Sequence, residues 1–132
     1  LPPSVVASAR VSLDLVEKGG ALRKRLMRNA ERLHSGLSAL GFTLGGDVSP
    51  VVAVVASDVE VGVAFWRGLM DAGIYVNLAL PPATPHNYTL LRCSLCAAHT
   101  SAQVDRIVEI FAEVAADLDV MPPIPKKKTA LA

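Results

Sequence analysis

This 132-residue chain has little charge of one sign, little cysteine and no long apolar run. Thirteen Lys and Arg stand against 12 Asp and Glu, a net charge of +1. That balance excludes a surface built for nucleic acid and gives no sign of one built for an anionic membrane. Two cysteines, Cys93 and Cys96, make no disulfide framework, so a reducing, cytoplasmic setting is expected. No stretch approaches the roughly 20 apolar residues that span a bilayer, and the opening residues do not read as a signal peptide. A phosphate-cradling glycine loop, a Gly-x-Ser-x-Gly elbow and a paired-carboxylate arrangement are all missing. No side chain stands out as a nucleophile.

What is present is an apolar, globular composition, 52% hydrophobic and 19% charged. The length fits one domain, and a chain of this size buries about two thirds of its unfolded surface. The apolar excess predicts that a partner covers part of the surface. The opening Leu1-Pro-Pro-Ser, without Met, reads as the interior of a longer protein.

Pro2 and Pro3 suit a helix entry, and Val5, Val6, Ala9, Leu13 and Val16 follow at helical spacing until Gly19-Gly20. A second helix is predicted through Leu22, Leu26, Ala30, Leu33, Leu37 and Leu40, ending at Gly41. Its basic cluster from Arg23 to Arg32 reads as a solvated face. Phe42 to Leu44 predicts a short strand and Val51 to Ala56 a buried one. Ser57-Asp-Val-Glu60 has the capping-box pattern, opening a helix that turns Val61, Phe65, Leu69 and Ala72 inward and stops at Gly73. Ile74 to Leu80 and Tyr88 to Leu95 predict two more strands. Thr100-Ser-Ala-Gln103 is a second capping box, before a stripe of Val104, Ile107, Val108, Phe111, Val114, Ala115 and Leu118. From Met121 the Pro- and Lys-rich residues read as a disordered tail over 121–132. The order predicts an α+β two-layer sandwich over 1–120, with three or four mostly antiparallel strands and helices on one face.

Chemistry gathers between Asn77 and Thr100. A proline segment, Pro81-Pro82-Ala83-Thr84-Pro85, is expected to be stiff and extended and to present Thr84. Arg92 then stands in an apolar strand, where a cation is costly unless an anion meets it. Alternation puts Tyr88, Leu90, Arg92 and Ser94 on one face and Thr89, Leu91, Cys93 and Leu95 on the other. If helices cover the second face, Arg92 is free to hold a carboxylate by two parallel hydrogen bonds; the competing reading is a structural salt bridge. Cys93-x-x-Cys96-x-x-His99 lacks the four ligands of a zinc site, and its cysteines read as buried or half-buried thiols. His34 reads as a boundary residue, His86 as a solvated loop residue, and His99 as part of a helix-start turn.

Leu1–Ala7, Ser49–Val54, Gly73–Asn77, Pro81–Pro85, Leu91–Ser94 and Ala98–Thr100 together resemble the C-terminal domain of α-oxoamine synthases. These are pyridoxal-phosphate (PLP) enzymes of the aspartate aminotransferase fold type I, and within them the chain resembles the bacterial serine palmitoyltransferases. The resemblance covers residues 1–120. It implies condensation of an amino acid, L-serine in that branch, with an acyl-CoA, palmitoyl-CoA, with loss of CO2, as in sphingolipid synthesis. It implies a homodimer with active sites at the subunit interface. The Schiff-base lysine, the stacking histidine and the aspartate that pairs with the ring nitrogen would all lie upstream, so this chain holds no catalytic or cofactor-binding residue and is expected to be inactive alone. Arg92 matches the arginine that binds the substrate carboxylate, and Thr84 a loop beside the substrate. Some serine palmitoyltransferases carry a second arginine just before the proline motif, where this chain has Leu80, so 2-amino-3-ketobutyrate ligase and 8-amino-7-oxononanoate synthase activities stay open. A stand-alone anion- or protein-binding module would share the Arg92 surface.

Overall fold

The computed structural model of the protein describes residues 1–120, so the tail expected over 121–132 lies outside the described residues. Helix α1 (Pro3–Lys18) runs into α2 (Gly20–Ala39), followed by β1 (Val51–Ala56), α3 (Val59–Asp71), β2 (Asn77–Ala79), a short 3-10 turn at Pro85–Asn87, β3 (Thr89–Ser94) and α4 (Ser101–Asp117). The strands form an antiparallel sheet in the order β1-β3-β2. The α+β two-layer architecture expected from the sequence is the one observed, with α2, α3 and α4 on one face of the sheet.

The core lies between these layers. Leu33 and Leu37 of α2, Phe65 and Leu69 of α3, and Val104, Ile110, Phe111, Val114 and Ala115 of α4 close on Val52, Val54, Leu91 and Cys93 of the sheet. Three rings meet at its centre: Phe111 stands edge-on to Phe42 and Phe65, with centroids 5.8 and 5.5 Å away. Such contacts add to the burial of large apolar side chains.

Local rules explain the ends of the elements. Thr100 caps α4 reciprocally: the Gln103 N–H donates to Thr100 Oγ1 at 3.2 Å and the Thr100 N–H donates to Gln103 Oε1 at 2.8 Å. The expected box at Ser57 is displaced by one residue. Asp58 is the cap, accepting from the Val61 N–H at 2.8 Å, while the Ser57 hydroxyl donates to the Asp58 carboxylate. Asp58 wins because its oxygens suit the N-cap geometry as well as serine's and carry a charge favoured by the helix dipole.

Three expectations are corrected. Residues 42–44 give no strand, only an isolated bridge from Leu44 to Val54. The strand expected from Ile74 begins at Asn77, because Gly73, at φ 84°, closes α3 with a bond from the Ile74 N–H to the Leu69 carbonyl. That Schellman closure commits Ile74 to the helix end. Ala72 and Leu118, both read as inward, are exposed at the helix ends. The helix expected from Pro3 forms, but none of the residues of α1 is buried, and Val5, Val6, Leu13 and Val16 are half or more exposed. No helix of the described residues is long and apolar enough to cross a membrane.

Close packing of α3 on the sheet requires Gly62, where an added Cβ would lie 2.2 Å from Thr89 Cγ2. Gly62→Ala is therefore expected to destabilise the fold by about 1–3 kcal/mol. Gly20→Ala, with nothing within 4 Å, serves as the neutral or stabilising control. Thermal or denaturant unfolding of the two variants measures the contrast.

Candidate substrate-carboxylate site

β3 is the central strand, so its side chains have neighbours on both sides. Thr89, Leu91 and Cys93 are buried towards the helices, while Arg92 and Ser94 are exposed on the opposite, open face. The alternation read from the sequence holds. In register, Arg92 lies between Ala53 of β1 and Asn77 of β2. Directly opposed residues of an antiparallel pair project to one face, so these three form one row. The next row, Val55–Leu90–Ala79, is apolar.

The Arg92 side chain makes no hydrogen bond and no ion pair among the described residues. The arginines paired there are Arg32, with Asp105, and Arg106, with Glu109 and Glu113. The structural salt bridge that competed with a ligand role is therefore not formed within them. A free guanidinium fork in the middle of an apolar sheet face offers two parallel N–H groups to a planar anion.

Thr84 lies apart from any open surface. It is buried, and its hydroxyl donates to the Tyr88 carbonyl at 2.5 Å. The proline segment is a turn, contrary to the extended form expected. The Ala83 N–H donates to the Leu80 carbonyl at 3.0 Å, the Pro81–Pro82 peptide is cis, and Pro85–Asn87 winds into the 3-10 turn with His86 and Asn87 at positive φ. Backbone bonds, which proline spacing does not reveal, curl the loop. Its base stands immediately before β3, so Thr84 fixes the approach to the Arg92 strand. His86 is exposed, its ring 5.7 Å from that of Tyr88.

The turn from β3 to α4 is held by a residue that sequence reasoning missed. Asn29 of α2 is buried, and its amide donates to the Cys96 and His99 carbonyls at 3.2 and 2.9 Å. A lone asparagine on a helical stripe gives no signal of a partner 70 residues away. The His99 ring accepts from the Cys96 N–H at 3.2 Å, fixing the turn as expected. Arg32 clamps α2 to α4 through two bonds to Asp105, at 2.5 and 2.7 Å, which hold the Asp105 carboxyl below the usual range. The other arginines of the basic cluster are exposed, as read. His34, half-buried, lies 3.2 Å from the Gly46 carbonyl.

With this geometry in place, the comparisons with known proteins are specific. Residues 1–111 match the aminotransferase class I and II family. The chain belongs to that family. Serine palmitoyltransferase from Caulobacter vibrioides is 46% identical over 128 residues, which are 97% of this chain and 32% of that protein. A solved structure of serine palmitoyltransferase from Sphingomonas paucimobilis, with a bound PLP-myriocin aldimine, superposes with a TM-score of 0.83 at 45% identity, over 92% of this chain and 31% of the other. An 8-amino-7-oxononanoate synthase from Geobacter sulfurreducens is 36% identical over 92% of this chain and 32% of its own length. This chain thus spans about a third of the relatives it matches.

The two thiols differ in environment, which gives a chemical test of the fold around the site. Cys96 is exposed, 3.8 Å from His99 Nδ1, whereas Cys93 is buried and burial pushes its thiol up to about 12. A disulfide reagent at neutral pH is expected to titrate one thiol rapidly and the second only after denaturation, since the thiolate is the reacting form. Two fast thiols would show that β3 does not bury Cys93.

Proposed function

We propose that this chain is the C-terminal small domain of a PLP-dependent α-oxoamine synthase of the serine palmitoyltransferase type, and that it supplies the grip on the amino-acid substrate. The observation that carries the reading is Arg92, an unpaired guanidinium at the centre of an open, apolar sheet face. The serine palmitoyltransferases named above favour L-serine and palmitoyl-CoA as substrates, with decarboxylation and an amino ketone as product. A cytoplasmic homodimer belongs to this reading as an expectation from the family resemblance.

In this reading the substrate carboxylate lies in the plane of the Arg92 fork and accepts two hydrogen bonds. Holding it there fixes which bonds of the α-carbon face the reacting partners, the positional part of catalysis. Thr84, through its bond to the Tyr88 carbonyl, holds the loop beside the substrate in shape. PLP, when bound, supplies an electron sink for the carbanion. Among the described residues the paired strands bring no lysine, aspartate or histidine to the Arg92 side of the sheet, only Val51, Ala53, the buried Val55, Leu90, Arg92, Ser94, Asn77 and Ala79. These do not fit the cofactor. The chain's own contribution stops at binding and orienting the amino acid, and alone it is expected to be inactive.

The exposed apolar stripe of α1 favours a domain of a larger enzyme over a free-standing module, which would leave Val5, Val6, Leu13 and Val16 in water. The relatives' threefold greater length agrees. Leu80, in place of a second arginine, leaves glycine- and alanine-using relatives as the second reading.

The test is Arg92→Lys in the longest natural protein that carries this chain. Lysine keeps the charge and loses the fork, so affinity for the amino acid is expected to fall about tenfold or more. The dissociation constant for L-serine, read from the cofactor's absorbance, measures it. Unchanged affinity means that Arg92 is not the carboxylate anchor.

A further inference from the structure

Asparagine is a poor strand former, yet Asn77 occupies the first position of β2, directly opposite Arg92. Its side chain is exposed on the open face and makes no hydrogen bond among the described residues. On the other side of Arg92 the row ends in Ala53, which offers neither a donor nor an acceptor. Of the two neighbouring rows, Val55–Leu90–Ala79 is apolar, and the other carries Ser94 opposite Val51, outside the row of Arg92. An amino acid whose carboxylate is held by Arg92 therefore meets one polar side chain within its own row, the Asn77 amide. Opposed Cβ atoms are about 5 Å apart, so the Arg92 and Asn77 side chains leave the sheet side by side on one face.

We infer that Asn77 is a substrate-contacting, specificity-determining residue that reads the hydroxyl of a hydroxy-amino acid while Arg92 holds its carboxylate. In serine the hydroxyl oxygen and the carboxylate oxygens all lie two bonds from the α-carbon, so two side chains in one row address both groups together. The amide offers an acceptor, Oδ1, for the hydroxyl proton, and two N–H donors for its oxygen. The row has an asymmetric shape, with a polar edge at β2 and an apolar edge at β1, so it distinguishes a substrate with a hydroxyl from one with a methyl or a hydrogen in that place. A site that hydrogen-bonds a substrate hydroxyl discriminates against the analogue lacking it, because that analogue leaves the site's polar group unmatched.

This inference rests on the proposed role of Arg92, and its test separates the two. The measurement uses the longest natural protein carrying this chain, with dissociation constants for L-serine, L-alanine and glycine read from the cofactor's absorbance. Asn77→Ala is expected to weaken L-serine about tenfold and to leave L-alanine and glycine within about twofold, with an unchanged melting temperature because the side chain is exposed. Asn77→Asp puts a carboxylate directly opposite Arg92. It is expected to occupy the guanidinium and weaken all three amino acids together. Asn77→Ala that changes the three constants equally, or not at all, overturns the inference, as does Asn77→Asp without effect. If Arg92→Lys weakens L-serine while Asn77→Ala leaves selectivity unchanged, the hydroxyl role alone falls. If Arg92→Lys is also silent, the anchor reading falls with it.

Discussion

Burial of one face of β3 governs the rest of this molecule. Leu91 and Cys93 go under the helices with Phe111, Leu33 and Leu69, and the pleat then sends Arg92 to the other side. A strand with a two-residue period has no third choice. A slip of one residue would bury an unpaired guanidinium beside Phe111 and expose Leu91, at a cost that the domain's modest net stability does not allow. The core thus fixes the direction of the Arg92 side chain from the opposite face of the sheet.

The helical layer is locked onto that strand by polar bonds between residues distant in sequence. Asn29 grips two carbonyls of the β3–α4 turn, Arg32 grips Asp105, and the Trp66 ring N–H donates to the Val76 carbonyl at 3.0 Å, tying α3 to the approach to β2. That last bond bears on the site, because Asn77 follows Val76 directly. The same segment is thus anchored on the core side by tryptophan and exposed at Asn77 on the other. The arrangement supports the sheet on its helical face and leaves Arg92 and Asn77 exposed on the opposite one.

The apolar helix α1 belongs to the same logic. Its stripe has correct helical spacing and no core to enter, since α2, α3 and α4 already cover the sheet's inner face. Stripes of this kind are stabilised by a partner surface.

Much of this was legible in the residues alone. The α4 stripe and its Thr100–Gln103 box, the stop at Gly73, the buried β1 run and the alternation around Arg92 all follow from local periodicity and capping, which depend on neighbours a few residues away. The start of β2, the curl of the proline loop, the shift of the α3 cap to Asp58 and the Asn29 clamp did not, because each was decided by bonds that competing groups close only once the chain is folded. The sequence by itself determined that an arginine would stand in an apolar strand with its neighbours alternating. Only the tertiary structure decided that this strand is central, that no carboxylate among the described residues reaches the guanidinium, and that Asn77 stands beside it, because strand order and register are set by how three separate segments pack under one helical layer.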